Sequence, residues 1–299
     1  LRKSERFAPA PFLLDQDGYV WSLPYPATLR HTVEEVGAAC HQILEEGERL
    51  EIYRRQITKA LSDNASVEST NLASPVRLSL EDFLKDETIV FLAIHGGIGE
   101  NGELQSALAN SKVPFTGSLA ASVKLCMDKY DTGIALQNYG KYGIFVAAKK
   151  KLDTRTLQNL KEEKLTKAWE NLVDDLKSKT LIVKPLSDGC SSGIVRLASS
   201  ADLKKYLVLL SSEKPRISPG ELTHVKTPVE LPDSLPDFLL FETFVKSDQP
   251  VIQGNELSWK SRSGWVEITV GVLGARDQMR ALKPSITVAS GEILSLEEK

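Results

Sequence analysis

The sequence predicts two lobes: an α/β lobe with a parallel sheet, then an α+β lobe with an antiparallel sheet. Three observations carry this expectation. In the first half, apolar runs end in glycine-rich loops and are followed by helical spacing, as in IVFLAIHGGIGENGELQ and VPFTGSLAASVKLCM. In the second half, a helical stretch is followed by successive strand-like runs, TLIVKP, IVRL, FLLFETFV, WVEITVGVLG and SITVAS. The length, 299 residues, exceeds what one core usually fills. The lobes are drawn as residues 1–122 and 123–299.

Composition narrows the function classes. With 41% hydrophobic and 26% charged residues, the chain reads as an ordinary globular protein. A net charge of -3 argues against a nucleic-acid partner held by phosphate neutralisation. No apolar run approaches the roughly 20 residues that a membrane span needs, so no membrane partner is expected. Cys40, Cys126 and Cys190 fit neither a metal nor a disulfide spacing, which points to a reducing compartment. The chain begins at Leu1 without a visible targeting segment and stops just after a strand-like pattern; a piece of a longer polypeptide is expected.

The elements follow in order. Residues 1–31, with DQDG and several prolines, read as irregular. Val33, Val36, Cys40, Ile43 and Leu44, then Tyr53, Ile57 and Leu61, give helical spacing, with a break expected near Gly47. Residues 62–78 read as a loop, SLEDFLKD as a short helix and TIVFLAIH as a strand. A helix carries Leu104 and Leu108, VPFTGS is a second short strand, and Ser118 is the expected cap of a helix through Lys124 and Met127. Residues 155–177 and 200–211 read as helices, the first amphipathic. There is no internal repeat.

Two stretches carry chemistry. HGGIGENGELQ ends a strand in a histidine, glycines and a glutamate; at the carboxyl end of a parallel strand this suits a ligand wall, and the alternatives are a tight loop and a structural histidine. IVKPLSDGCSSGIVRL places Lys184 at a strand end before a loop of small hydroxyl residues. Such a loop lays backbone N–H groups against phosphate, with the lysine as a point charge. It is neither a Walker A motif nor a dinucleotide fingerprint, and the alternative is an ordinary β-hairpin.

The order HGGIGENGELQ, VPFTGS, CMDK, VKPLSDGCSSG, FETFV and VEITVGVLG resembles the D-alanine–D-alanine ligases of the ATP-grasp superfamily, over residues 86–299. WSLPYPATLRHT, GCSSG and SLEEK are similar to the second half of the tandem ligase homologues of plants. The resemblance implies that Lys129 and Lys184 contact ATP phosphates under a lid loop of Gly189, Cys190, Ser191, Ser192 and Gly193. It implies that Glu242 faces the adenine amino group, that the backbone of Thr243, Phe244 and Val245 forms the hinge with the Phe244 ring on the base, and that Glu267 holds the ribose. Lys299 would reach the terminal phosphate and, with Ser191, act in catalysis; His95, Gly96 and Glu100 would bind the first D-alanine. A lone lysine of this kind could instead be a solvated surface group, and Glu242 or Glu267 an outward strand residue.

The implied activity is ATP-dependent ligation of two D-alanines through an acyl phosphate, in peptidoglycan biosynthesis, with magnesium held by ligands expected beyond Lys299. The implied location is the plastid, otherwise the cytoplasm, and the implied partners are D-alanine, ATP and either a dimer mate or a tandem half. Several features depart from the family. A GG-x-S-x-E loop is not found in residues 1–85, Cys190 replaces a serine, Asn101 replaces an acid, and residues 246–265 lengthen a short connection. The stretch ends before the family's D…E-x-N segment and its arginine, so these 299 residues alone are expected not to catalyse ligation. Two alternatives stay open: another ATP-grasp carboxylate–amine ligase, and a noncatalytic nucleotide-binding or scaffolding half of a tandem protein.

Overall fold

The computed structural model describes residues 6–29, 31–61, 75–86, 89–94, 96–187, 191–286 and 288. The elements in chain order are β1 (Phe12–Leu14), β2 (Val20–Ser22), α1 (Val33–Leu61), β3 (Val76–Leu78), α2 (Leu80–Asp86), α3 (Gly97–Glu100), α4 (Glu103–Asn110), α5 (Ala120–Met127) and α6 (Lys129–Gln137). They continue with β4 (Lys149–Asp153), α7 (Thr154–Gln158), α8 (Glu162–Leu176), β5 (Leu181–Pro185), β6 (Val195–Leu197), α9 (Ser200–Leu210), β7 (Arg216–Ile217) and β8 (Val229–Glu230). The last are β9 (Phe238–Thr243), β10 (Gln249–Gln253), β11 (Glu256–Lys260), β12 (Val272–Leu273) and β13 (Arg280–Ala281).

The chain divides into two compact units: Leu1–Phe91 with Ala107–Thr116, and Leu92–Ser106 with Gly117–Lys299. The glycine-rich segment belongs by packing with the later residues, because α3 lies on α5.

In the first unit, β1, β2 and β3 form an antiparallel sheet. Residues 12–22, read as irregular, are a hairpin. Its DQDG turn is fixed by Asp15, whose Oδ1 accepts from the Asp17 and Tyr19 N–H groups and whose Oδ2 accepts from the Trp21 indole. Trp21, Leu23 and Cys40 are buried together with Leu13 and Val36 packed against them, so α1 is held to the hairpin through Val36 and Cys40. The expected break at Gly47 is absent and α1 is continuous. Glycine costs a helix interior about 1 kcal/mol, too little to end a helix flanked by Leu44, Glu45 and Glu46. Helix α2 starts where Ser79 caps it, the Ser79 hydroxyl accepting from the Asp82 N–H.

The parallel sheet expected in this part is reduced to one parallel bridge, Val90 to Phe115, among the described residues. A strand needs hydrogen-bonded neighbours to persist. Ile89, Phe91 and Ile94 around that bridge are exposed. Ser118 is not the cap of α5; Leu119 occupies that position without a side-chain hydrogen bond.

In the second unit, β4, β9, β5 and β6 form an antiparallel sheet in that order, as the α+β reading expects. Side chains alternate between faces along a strand. One face carries Leu239 and Phe241, Leu181 and Val183, Val195 and Leu197, all fully buried. Helices α8 and α9 cover it: Leu165, Trp169, Leu172 and Leu176 recur at helical spacing on α8, and Leu203, Tyr206, Leu207 and Leu210 on α9. The single helix expected over 155–177 is two helices, α7 and α8. Asp153 caps the first, accepting from the Thr156 N–H. Ser199 caps α9 through the Asp202 N–H.

The long strand read from WVEITVGVLG is reduced to β12, paired with β13, and an isolated bridge between Thr269 and Ser285. The lengthened connection, residues 246–265, is built on the hairpin β10–β11, with Asp248 Oδ1 accepting from the Arg262, Ser263 and Gly264 N–H groups. Trp259 and Trp265 are exposed. Among the described residues, no helix is long and apolar enough to cross a membrane.

These layers set the cost of substitution. Phe241→Ala, in a central strand of the buried face, is expected to cost about 3–5 kcal/mol in urea unfolding. Val272→Ala, in an exposed two-residue strand, is expected to stay within about 0.5 kcal/mol.

A lysine-lined face of the antiparallel sheet

The opposite face of the four-stranded sheet is polar. Register brings Lys149 directly across from Glu242, and Ile182 across from Glu242 on the other side. Lys184, paired with Leu240, lies diagonally next to Glu242 on the same face. Arg196, paired with Ile182, extends that face onto β6.

The Glu242 carboxylate is shared by two ammoniums. Lys149 Nζ lies 2.6 Å from Oε1 and Lys184 Nζ lies 2.5 Å from Oε2. The side chains of Lys149 and Glu242 are each 11% exposed and that of Lys184 is 19% exposed, so the three charges sit largely out of water. Burial on its own would push the Glu242 carboxyl up. The adjacent Lys184 and Lys149 ammoniums override it and hold the group below its ordinary value of 4.5.

Helix α6 brings a third cation. Asp128 caps it, Oδ1 accepting from the Tyr130 and Asp131 N–H groups, which puts Lys129 in the first turn. Lys129 Nζ donates to the carbonyls of Pro185 and Leu186 at 3.4 and 3.3 Å, just past the Lys184 position. Lys149 Nζ also donates to the Lys129 carbonyl at 3.2 Å. Two ammoniums, from β4 and β5, therefore share one carboxylate, and a third, from α6, lies at the carbonyls just past Lys184 and is tied to the pair through the Lys129 carbonyl. An anionic group, phosphate above all, is what such a face can hold.

The loop between β5 and β6 is anchored at its far end. Gly193 has φ +65, its N–H donates to the Glu230 carbonyl at 2.7 Å, and its carbonyl accepts from the Tyr206 hydroxyl at 2.7 Å. A Cβ there would stand 3.0 Å from Pro185. Ser191 has φ +62, a conformation a non-glycine residue adopts at a cost of about 1–2 kcal/mol, and its carbonyl accepts from the Ile194 N–H. Ser192 is half-buried.

The remaining expected residues fall as follows. Phe244 lies beneath the Arg196 guanidinium, 4.2 Å from its ring centre. The Thr243 N–H donates to the Ala148 carbonyl and its hydroxyl to the Leu176 carbonyl. Val245 and Glu267 are exposed. Glu100 closes its own loop, its Oε2 accepting from the Gly96 N–H at 2.8 Å, with Gly96 at φ +72. His95, Gly189, Cys190 and Lys299 lie outside the described residues. The sequence reading missed Lys149 and Arg196. The run KKKL at 149–152 was the available signal, since alternation puts Lys149 and Lys151 on one face, but nothing local marks Glu242 as the partner.

No family model matches the chain. It is similar to a protein of Streptococcus uberis, 27% identical over 164 residues, covering 54% of this chain and 41% of that protein. It is also similar to one of Finegoldia magna, 30% identical over 160 residues, covering 52% and 42%. Both relatives are D-alanine–D-alanine ligases. The chain spans about two fifths of the length of these ligases. The solved D-alanine–D-alanine ligase from Coxiella burnetii superposes with a TM-score of 0.52 at 18% identity, over 91% of this chain and 59% of that one. The chain shares the fold of this solved ligase.

The pair chemistry makes stability depend on acid. Because Glu242 titrates lower in the folded chain than in the unfolded one, the unfolded chain takes up the proton first as pH falls. The stabilisation is complete above 4.5 and is lost as pH drops through the folded value. Glu242→Gln, which leaves two part-buried ammoniums without their anion, is expected to cost about 3 kcal/mol at neutral pH. Urea midpoints taken from pH 7 to pH 3 are expected to fall less steeply for this variant than for the wild type.

Proposed function

We propose that the chain is part of an ATP-dependent ligase that joins two D-alanines, and that the lysine-lined face holds the nucleotide phosphates. The supporting observation is the cluster in which Lys149 and Lys184 share Glu242 while Lys129 reaches the carbonyls at the end of β5. Their charge outweighs the single carboxylate, and polyphosphate is the ligand that offsets the excess. Its D-alanine–D-alanine ligase relatives supply the substrate class.

In this reading ATP phosphorylates the carboxylate of one D-alanine. The amine of the second attacks the acyl phosphate, and the tetrahedral oxyanion collapses with loss of phosphate. Lys129 and Lys184 neutralise the transferring phosphates, and the segment from Gly189 through Cys190, Ser191 and Ser192 to Gly193 closes over them. Glu242 and the 243–245 backbone take the adenine, Phe244 its ring and Glu267 the ribose. Lys299 and Ser191 serve the terminal phosphate. His95, Gly96 and Glu100 hold the first D-alanine. The functional lobes are residues 1–122 for the amino acid and 123–299 for the nucleotide.

Among the described residues no three His, Cys, Asp or Glu side chains come together as a metal site. Glu242 is already neutralised by two lysines. These residues do not fit magnesium, and no step is derived through it. A role in peptidoglycan biosynthesis, a plastid location and a dimer or tandem partner belong to the same proposal.

Calorimetric titration of the chain with ATP, beside Lys184→Ala, tests the nucleotide reading. Micromolar binding that weakens at least about tenfold in the variant is expected, as for loss of one charge-assisted contact. Equal binding by the two folded proteins, or none by the wild type, would overturn it.

A further inference from the structure

Lys149 is the least expected member of the cluster and one of its most constrained. It is directly opposite Glu242 in the β4–β9 ladder, and its Nζ is held by Glu242 Oε1 and by the Lys129 carbonyl. Its side chain passes over Gly133 on α6, where an added Cβ would stand 2.8 Å from both Cε and Nζ. Any side chain at position 133 would move the ammonium. Glycine in a helix interior costs about 1 kcal/mol, and here it leaves the room that Lys149 occupies.

The arrangement decides where the charge of Lys184 goes. Glu242 is held by Lys149 from β4 and Lys184 from β5; Arg196 from β6 lies on the same face, and Lys129 from α6 joins through its carbonyl to Lys149 and through its ammonium to the Pro185 and Leu186 carbonyls. One carboxylate divided between two ammoniums neutralises neither. Were Lys149 gone, Glu242 would pair with Lys184 alone, and that pair would present little net charge to an anion.

We propose that Lys149 is a positioning residue of the phosphate site: by occupying one oxygen of Glu242 and the Lys129 carbonyl, it keeps the Lys184 charge available to a polyphosphate and fixes the turn from which Lys129 reaches. The proposal rests on the phosphate reading of this face and adds to it a residue that acts through its neighbours.

Inorganic tripolyphosphate is the probe, because it lacks the base and ribose that Glu242 would also serve. It is titrated calorimetrically into the full chain and its folded variants. Wild type is expected to bind and Lys184→Ala to lose binding. Lys149→Met is expected to bind roughly tenfold more weakly, the change expected when one hydrogen bond to a charged group is redirected. Adding Glu242→Gln to Lys149→Met frees Lys184 and is expected to restore binding to within about threefold of wild type, a non-additive pair. Gly133→Ala keeps every charge but displaces the ammonium, and is expected to weaken binding as Lys149→Met does. Should Lys149→Met fail to fold, Gly133→Ala carries the comparison.

Wild-type affinity in Lys149→Met overturns the proposal. So does a double variant weaker than the single one, which is the result a purely structural lysine gives. Absence of both tripolyphosphate and ATP binding to the wild type removes the phosphate reading and the proposal together. ATP binding that depends on Lys184 but not on Lys149 removes the proposal alone.

Discussion

Glu242 sits in a strand whose neighbouring residues Leu239, Leu240 and Phe241 are fully buried, and both of its oxygens are bound by ammoniums. A carboxylate in that position without partners would be strongly disfavoured, and so would two neighbouring lysines without it. The three side chains come from β4, β9 and β5, so their mutual compensation is also a constraint on how those strands pair. Helix α6 joins the same constraint through the Lys129 carbonyl. The lysine-lined face thus has its geometry set by charge, whereas shape sets the geometry of the face beneath.

That second face is what makes the first rigid. Leu181, Val183, Val195, Leu197, Leu239 and Phe241 interlock with α8 and α9 at full burial, and interiors packed in this way tolerate little displacement. The loop after β5 is tied to the same core where Tyr206 on α9 donates to the Gly193 carbonyl. A helix on the aliphatic side therefore fixes one end of a loop on the charged side. Gly193 is the fixed point of that loop.

What the sequence made legible follows from range. Leu165, Trp169, Leu172 and Leu176 repeat within one helix, and TLIVKP and FLLFETFV are apolar runs long enough to declare strands, so α8, β5 and β9 were readable from neighbours alone. Lys184 was legible because it ends a strand before a loop of small residues. Lys149 was not, because its meaning depends on Glu242, a residue far along the chain that only the β4–β9 register brings opposite. The break expected at Gly47 gave a local signal more weight than its energy carries. The strands expected at 89–94 and 266–274 had the right residues, but in the fold they find few partners, and pairing is not written into a strand's own sequence.

The alternation of faces has a consequence for how this protein can change length in evolution. One residue inserted within β5 or β9 would turn every later side chain of that strand through to the other side. Lys184 or Glu242 would then point among leucines, and a leucine among lysines. The same insertion between Leu186 and Ser192 lies beyond the ladder and ahead of the Gly193 anchor. Tolerance of indels should accordingly change abruptly at Pro185, and related chains are free to vary the size of this loop while the parity of the strands on either side of it stays fixed.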